Sequence, residues 1–202
     1  MKLSHNKKPN IFLDLDQTVI SAEATEDYKP RKYKQKAKLF DHKNMNGYYI
    51  VFERPGLQEF LDYIFENFNV SVWTAASKDY ALFIIQNMIL KNKPNRELDW
   101  VFFSYHCDIS SKIKNGTKDL AMLWEIYKLP GYNSKNTIIL DDYDEVYNTQ
   151  PGNCIIAEAF EFTEEGSEND DFLKRLVPKL KKMKEKIEKS KTNNPAGYVN
   201  KN

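Results

Sequence analysis

Ile11-Phe12-Leu13-Asp14-Leu15-Asp16-Gln17-Thr18 is the stretch that decides how this 202-residue chain reads. Its three leading apolar residues follow the breaker pair Pro9-Asn10, which predicts a short buried strand running straight into Asp14 and Asp16. Acids two positions apart on extended backbone project to the same side. There they can share a divalent cation and a substrate phosphate. One carboxylate can attack phosphorus, while the other protonates the leaving oxygen and then deprotonates water. Taken alone, the pair slightly favours a plainer reading, a strand that leaves through Asp residues bonded to the local backbone.

Working outward, residues 21–46 are charged, lysine-rich and weakly patterned, and predict a mobile flap. A β-hairpin arm is expected through Tyr48-Tyr49-Ile50-Val51-Phe52. After the turn at Pro55-Gly56, Leu57, Phe60, Leu61, Ile64 and Phe65 recur at helical spacing, and Val70-Ser71-Val72-Trp73 forms the next strand, ending at Thr74. A helix over 78–91, a strand at Trp100-Val101-Phe102-Phe103 and an irregular stretch over 104–116 follow. A helical pattern covers 117–129; then the strand Thr137-Ile138-Ile139-Leu140 runs into Asp141-Asp142, and Cys154-Ile155-Ile156-Ala157 is the last strand.

Strands alternating with helices predict an α/β fold. Its parallel sheet is covered on both faces, and ligands bind beyond the carboxyl ends of the strands. Three of those ends carry Asp14, Thr74 and Asp141 to one edge. Residues 170–190 read as a packed helix with a solvated basic face, which Pro178 is placed to kink. The expected organisation is one domain over 1–190, with an insertion at about 92–116 and a disordered tail over 191–202.

Hydrophobic residues make up 41% of the chain and aromatic ones 13%, enough for one sizeable core. The 30 basic and 29 acidic residues cancel to a formal net +1, so no global field points toward nucleic acid or a membrane surface. Cys107 and Cys154 are too few for a disulfide framework, the N-terminus lacks the apolar run of a secretory signal, and the apolar stretch 80–90 is interrupted by Gln86 and Asn87. A soluble protein of the nucleus or cytoplasm is therefore expected. Neither cysteine is followed by the arginine a cysteine phosphatase needs, and neither GxxxxGK[ST] nor GxSxG occurs.

A phosphoryl site needs donors for the phosphate oxygens, a cation, and another acid to hold that cation. Thr74, Lys118 and Asp141-Asp142 can supply these, in that chain order. With them the chain resembles the haloacid-dehalogenase superfamily. Within it, the resemblance is to the phosphatases of the RNA polymerase II C-terminal domain, also called NLI-interacting-factor-like phosphatases. It rests on Asp14-Leu15-Asp16-Gln17-Thr18-Val19, Glu53-Arg54-Pro55-Gly56, Trp73-Thr74-Ala75-Ala76-Ser77, Thr117-Lys118-Asp119-Leu120 and Ile139-Leu140-Asp141-Asp142.

The resemblance implies a Rossmann-like core and Mg2+-dependent hydrolysis through an aspartyl-phosphate. Asp14 would be the nucleophile, and Asp16 the general acid-base that also offers its carbonyl to the metal. Thr18 would support the loop, Thr74 and Lys118 would bind the phosphate, and Asp142 would be the last metal ligand, with Asp141 a further candidate beside Lys118. Arg54 and Tyr80 would line the substrate approach. The implied substrate is a phosphoprotein such as the phosphorylated polymerase tail. The alternatives are a small-molecule or nucleic-acid-end phosphatase, and a non-catalytic binding module on the same fold. Gln17 stands where the family commonly has Glu, and residues 21–46 have no counterpart.

Overall fold

The computed structural model describes residues 8–114 and 116–192. In chain order the elements are β1 (Asn10–Leu13), β2 (Ile20–Ala24), α1 (Pro30–Ala37), β3 (His42–Met45), β4 (Tyr49–Glu53), α2 (Leu57–Asn67) and β5 (Asn69–Trp73). There follow α3 (Lys78–Ile84), β6 (Val101–Phe102), α4 (Ser104–Lys114), β7 (Thr137–Asp141), α5 (Asp144–Thr149), β8 (Cys154–Ile156) and α6 (Phe172–Thr192).

The central sheet runs β6-β5-β1-β7-β8, and every neighbouring pair is parallel. All four residues of β1 are buried, because the strand is covered on both faces and so needs apolar side chains on both. Ile11 and Leu13 join the larger core cluster with Leu57, Leu61 and Leu173, whereas Phe12 points the other way into Trp73, Phe102, Leu123 and Ile139. The chain builds β5 and β6 on one side of β1 and then crosses to β7 and β8 on the other. That reversal is the switch point at which α/β sheets open a ligand crevice.

Helix α2 buries the Leu57, Phe60, Leu61, Ile64 and Phe65 stripe its spacing predicts. Helix α3 is capped by Ser77 and continues as a π-helical turn over Ile85–Leu90. Helix α6 passes through Pro178 and buries Phe172, Leu173, Leu176 and Leu180. Residues 193–202 of the expected disordered tail lie outside the described residues. Among the described residues no helix is long and apolar enough to cross a membrane.

Three expectations are corrected. The predicted mobile flap at 21–46 is folded: β2 and β3 flank β4 in a three-stranded antiparallel sheet, with α1 between β2 and β3. Ala37 and Phe40 are buried against Phe52, Phe160 and Phe162, and the Phe52 and Phe162 rings stack 3.6 Å apart. The hairpin from β3 to β4 turns at Asn46-Gly47, both left-handed, as this dipeptide adopts readily. The stretch expected to be irregular over 104–116 is mostly α4; it buries Cys107 and Ser110 and half-buries Ile109 against the core, too little apolar signal to betray a helix. The helical pattern over 117–129 contracts to a π-helical turn, Met122–Ile126, and the expected insertion consists of a loop, the edge strand β6 and α4.

Candidate functional site

Strand pairing sets where the site's backbone lies. The amide of Asp14 donates to Leu140 O at 2.9 Å and that of Thr74 to Phe102 O at 2.9 Å, so the ladders of β1 and β5 run one residue past each strand. Beyond that edge the Lys118 ammonium reaches both sides of the switch point, with Nζ 2.6 Å from Asp14 Oδ1 and 2.7 Å from Asp141 Oδ2. All three groups are buried. The Thr18 hydroxyl donates to Asp142 Oδ1 at 2.8 Å and lies 3.4 Å from Asp14 Oδ2. Asp14, Thr18, Lys118, Asp141 and Asp142, spread along the sequence, thus meet in one cluster.

Burial raises the Asp14 carboxyl well above the ordinary carboxylate range, with Lys118 opposing and Asp141 adding to the rise. Burial alone would lower Lys118, but the charges of Asp14 and Asp141 outweigh it and keep the ammonium protonated. Asp16 is also raised, chiefly by burial. Its Oδ1 accepts a hydrogen bond from the Tyr80 phenol. Thr74 is buried and its Oγ1 accepts from Ala76 N at 3.1 Å, which leaves its own proton free to be donated.

Carboxylate oxygens of Asp14, Asp141 and Asp142 all lie within 4.8 Å of one another. Anionic oxygens clustered this closely suit a hard divalent cation. Lys118 engages both Asp14 Oδ1 and Asp141 Oδ2, and Asp141 also accepts from Tyr143 N through Oδ1 at 3.0 Å, so both oxygens of Asp141 are already committed.

The loop between β1 and β2 is braced from beneath. Gln17 sits in the left-handed region, its carbonyl accepting from Phe160 N at 2.7 Å and its side chain donating to Glu161 Oε1 at 2.5 Å. Arg54, expected on the substrate approach, is buried in the brace beneath this loop. It is 1% exposed and donates to Thr18 O at 2.9 Å, to Glu158 O at 2.8 Å and to both carboxylate oxygens of Asp170 at 2.8 and 2.7 Å. Its guanidinium also packs over the rings of Phe160 and Phe172. Replacing it by leucine strands those acceptors, and the expected cost is about 3 kcal/mol or more, read as a lower unfolding midpoint in urea. Arg54→Lys restores little of this, because an ammonium cannot reproduce the bidentate fork. A stable Arg54→Leu protein with a selectively raised KM would return the residue to the substrate path.

Two contributors escape the motifs. Gln150 clasps the backbone that carries Lys118, donating to Lys118 O at 2.7 Å and accepting from Leu120 N at 3.0 Å. Tyr49, on the flap sheet, sets its ring edge-on to Tyr80 with centroids 5.4 Å apart. Nothing in the sequence around Gln150 marks it. Tyr49 lay in the predicted arm, but its partner was not legible.

The family described as NLI interacting factor-like phosphatase matches residues 9–191. A CTD phosphatase-like protein of Invertebrate iridescent virus 6 is 48% identical over 171 residues, covering 83% of this chain and 94% of that protein. Its counterpart in Invertebrate iridescent virus 3 is 41% identical over 188 residues, covering 90% of this chain and all of that protein. The solved structure of Fcp1, an essential RNA polymerase II CTD phosphatase, shares the fold with a TM-score of 0.54 at 20% identity. The match covers 96% of this chain and 56% of that one, so the chain spans little more than half of that structure.

Proposed function

The chain belongs to the NLI interacting factor-like phosphatase family and is a phosphatase of the haloacid-dehalogenase type, and from that premise we propose that it is a Mg2+-dependent protein serine/threonine phosphatase whose nucleophile is Asp14. The observation that carries the residue assignment is the buried Lys118 ammonium held between Asp14 and Asp141 at the switch point. A cation so placed offsets the charge of a phosphate brought against a carboxylate. It engages Asp14 through Oδ1, leaving Oδ2 as the attacking oxygen.

In this reading Asp14 Oδ2 bonds to phosphorus as the ester bond breaks, and Asp16 gives its proton to the departing oxygen. Water then attacks phosphorus. Asp16 takes the water's proton, and the bond to Asp14 breaks to release inorganic phosphate. The Thr74 hydroxyl and Lys118 bind the phosphate oxygens, while Thr18 and Arg54 keep the loop in place. A magnesium ion held by Asp14, Asp142 and the Asp16 carbonyl would neutralise charge on the phosphate.

A phosphoprotein substrate is supported by what the relatives are named for, and the phosphorylated tail of RNA polymerase II is the first to test. The site needs neither nucleic acid nor a membrane for this chemistry. Chelation with EDTA should lower turnover of an aryl phosphate on the order of 10²-fold or more, with recovery on adding magnesium. On a panel of phosphoserine-proline peptides, nucleotides and sugar phosphates, the peptides should give the highest kcat/KM. Preference for a sugar phosphate would replace the protein substrate by a small molecule, and metal-independent turnover would remove the assigned chemistry altogether.

A further inference from the structure

Asp16 stands apart from the Lys118 cluster. Its backbone is fixed by the braced loop, but a carboxyl group can still turn about its own side-chain bonds, and either oxygen could then carry the proton. Tyr80 removes that freedom. The phenol donates to Asp16 Oδ1. Tyr80 lies in the first turn of α3, a short step after Thr74, where its amide donates to the Ser77 cap at 3.5 Å. The ring is 9% exposed and braced edge-on by Tyr49 from the flap sheet.

We propose that Tyr80 is the positioning residue of the general acid: its hydroxyl occupies Asp16 Oδ1 and so presents Oδ2 as the oxygen that delivers the proton to the leaving group. The proposal rests on the reading of Asp16 as that acid. The proton balance is simple. Tyr80 keeps its proton throughout; the proton on Asp16 Oδ2 passes to the leaving oxygen as the phosphorus–oxygen bond breaks, and Oδ2 is reprotonated by the hydrolytic water. Tyr49, by holding the ring, ties the folded flap to this geometry.

A residue that only packs would, when altered, slow all substrates alike. One that aims an acid matters in proportion to how much the leaving group needs a proton. The measurement is therefore kcat/KM for 4-nitrophenyl phosphate, phenyl phosphate and a phosphoserine peptide, in rising order of leaving-group basicity. This ratio ends at departure of the leaving group and is blind to the later attack of water. Tyr80→Phe keeps the ring and its contact with Tyr49. Its loss should be smallest on 4-nitrophenyl phosphate and about tenfold greater on the two poorer leaving groups, a fraction of the ~10²–10⁴ that a positioned acid contributes.

Asp16→Asn, run on the same series, should show the same ordering with larger losses. Equal losses on all three substrates for Tyr80→Phe, or none, beside a steep Asp16→Asn series, would overturn the role of Tyr80 and leave the phosphatase reading standing. A flat Asp16→Asn series would instead overturn Asp16 as the acid, and the proposal with it.

Discussion

Asp14→Asn is expected to abolish turnover of 4-nitrophenyl phosphate, by about 10³-fold or more, while the protein should melt within about 3 °C of wild type. The amide keeps the shape of the carboxylate but has no anionic oxygen to attack phosphorus. The fold tolerates the change for an electrostatic reason. Asp14 is one of two acids that hold Lys118, and Asp141 remains at 2.7 Å to neutralise the ammonium. Burial already disfavours the Asp14 charge, so removing it relieves part of that penalty. A kinetic trace for phosphate release beside a thermal melt decides the matter; an active Asp14→Asn enzyme would mean that another group is the nucleophile.

Lys118→Met should lose both properties at once. The methionine fills much of the same space, but it leaves Asp14 and Asp141 buried with no cation between them. Breaking a buried pair from one side costs about 3–5 kcal/mol. At this size that corresponds to a melting point lower by on the order of 10 °C, together with loss of activity because the phosphate would meet uncompensated acids. The comparison with Asp14→Asn is informative because both variants are inactive and only one is destabilised. If Lys118→Met melted like wild type, the ammonium would not be the group that lets these carboxylates share a dry pocket.

What the sequence revealed follows from physical range. Strand β1 was legible because a strand covered on both faces must be apolar throughout, and the acids after it stand out against Ile11, Phe12 and Leu13. Thr74 and Asp141 were legible for the same reason, each closing an apolar strand. The flap was misread because Ala37 and Phe40 are sparse among lysines and find their partners, Phe160 and Phe162, more than a hundred residues later. Local pattern cannot show an aromatic cluster assembled across that distance. Arg54 illustrates the converse, since an arginine facing solvent and one buried on two carbonyls and a carboxylate are spelled identically. The acceptors that decide between them are mostly main chain, and these carry no residue signature.

The place of β1 in the middle of the sheet also sets an order in time. Asn10 pairs in register with Asn69 on one side and with Thr137 on the other. Parallel contacts of such separation form late, because a long loop must close before they bring any gain. As the chain leaves the ribosome, Asp14 emerges well before Asp141 and Asp142. Until β7 docks, the acid at position 14 has no lysine shared with Asp141, no Asp142 beside it and no walled pocket. A nascent chain carrying the whole acidic pentapeptide is thus chemically idle, and the enzyme comes into being only when the far side of its sheet arrives.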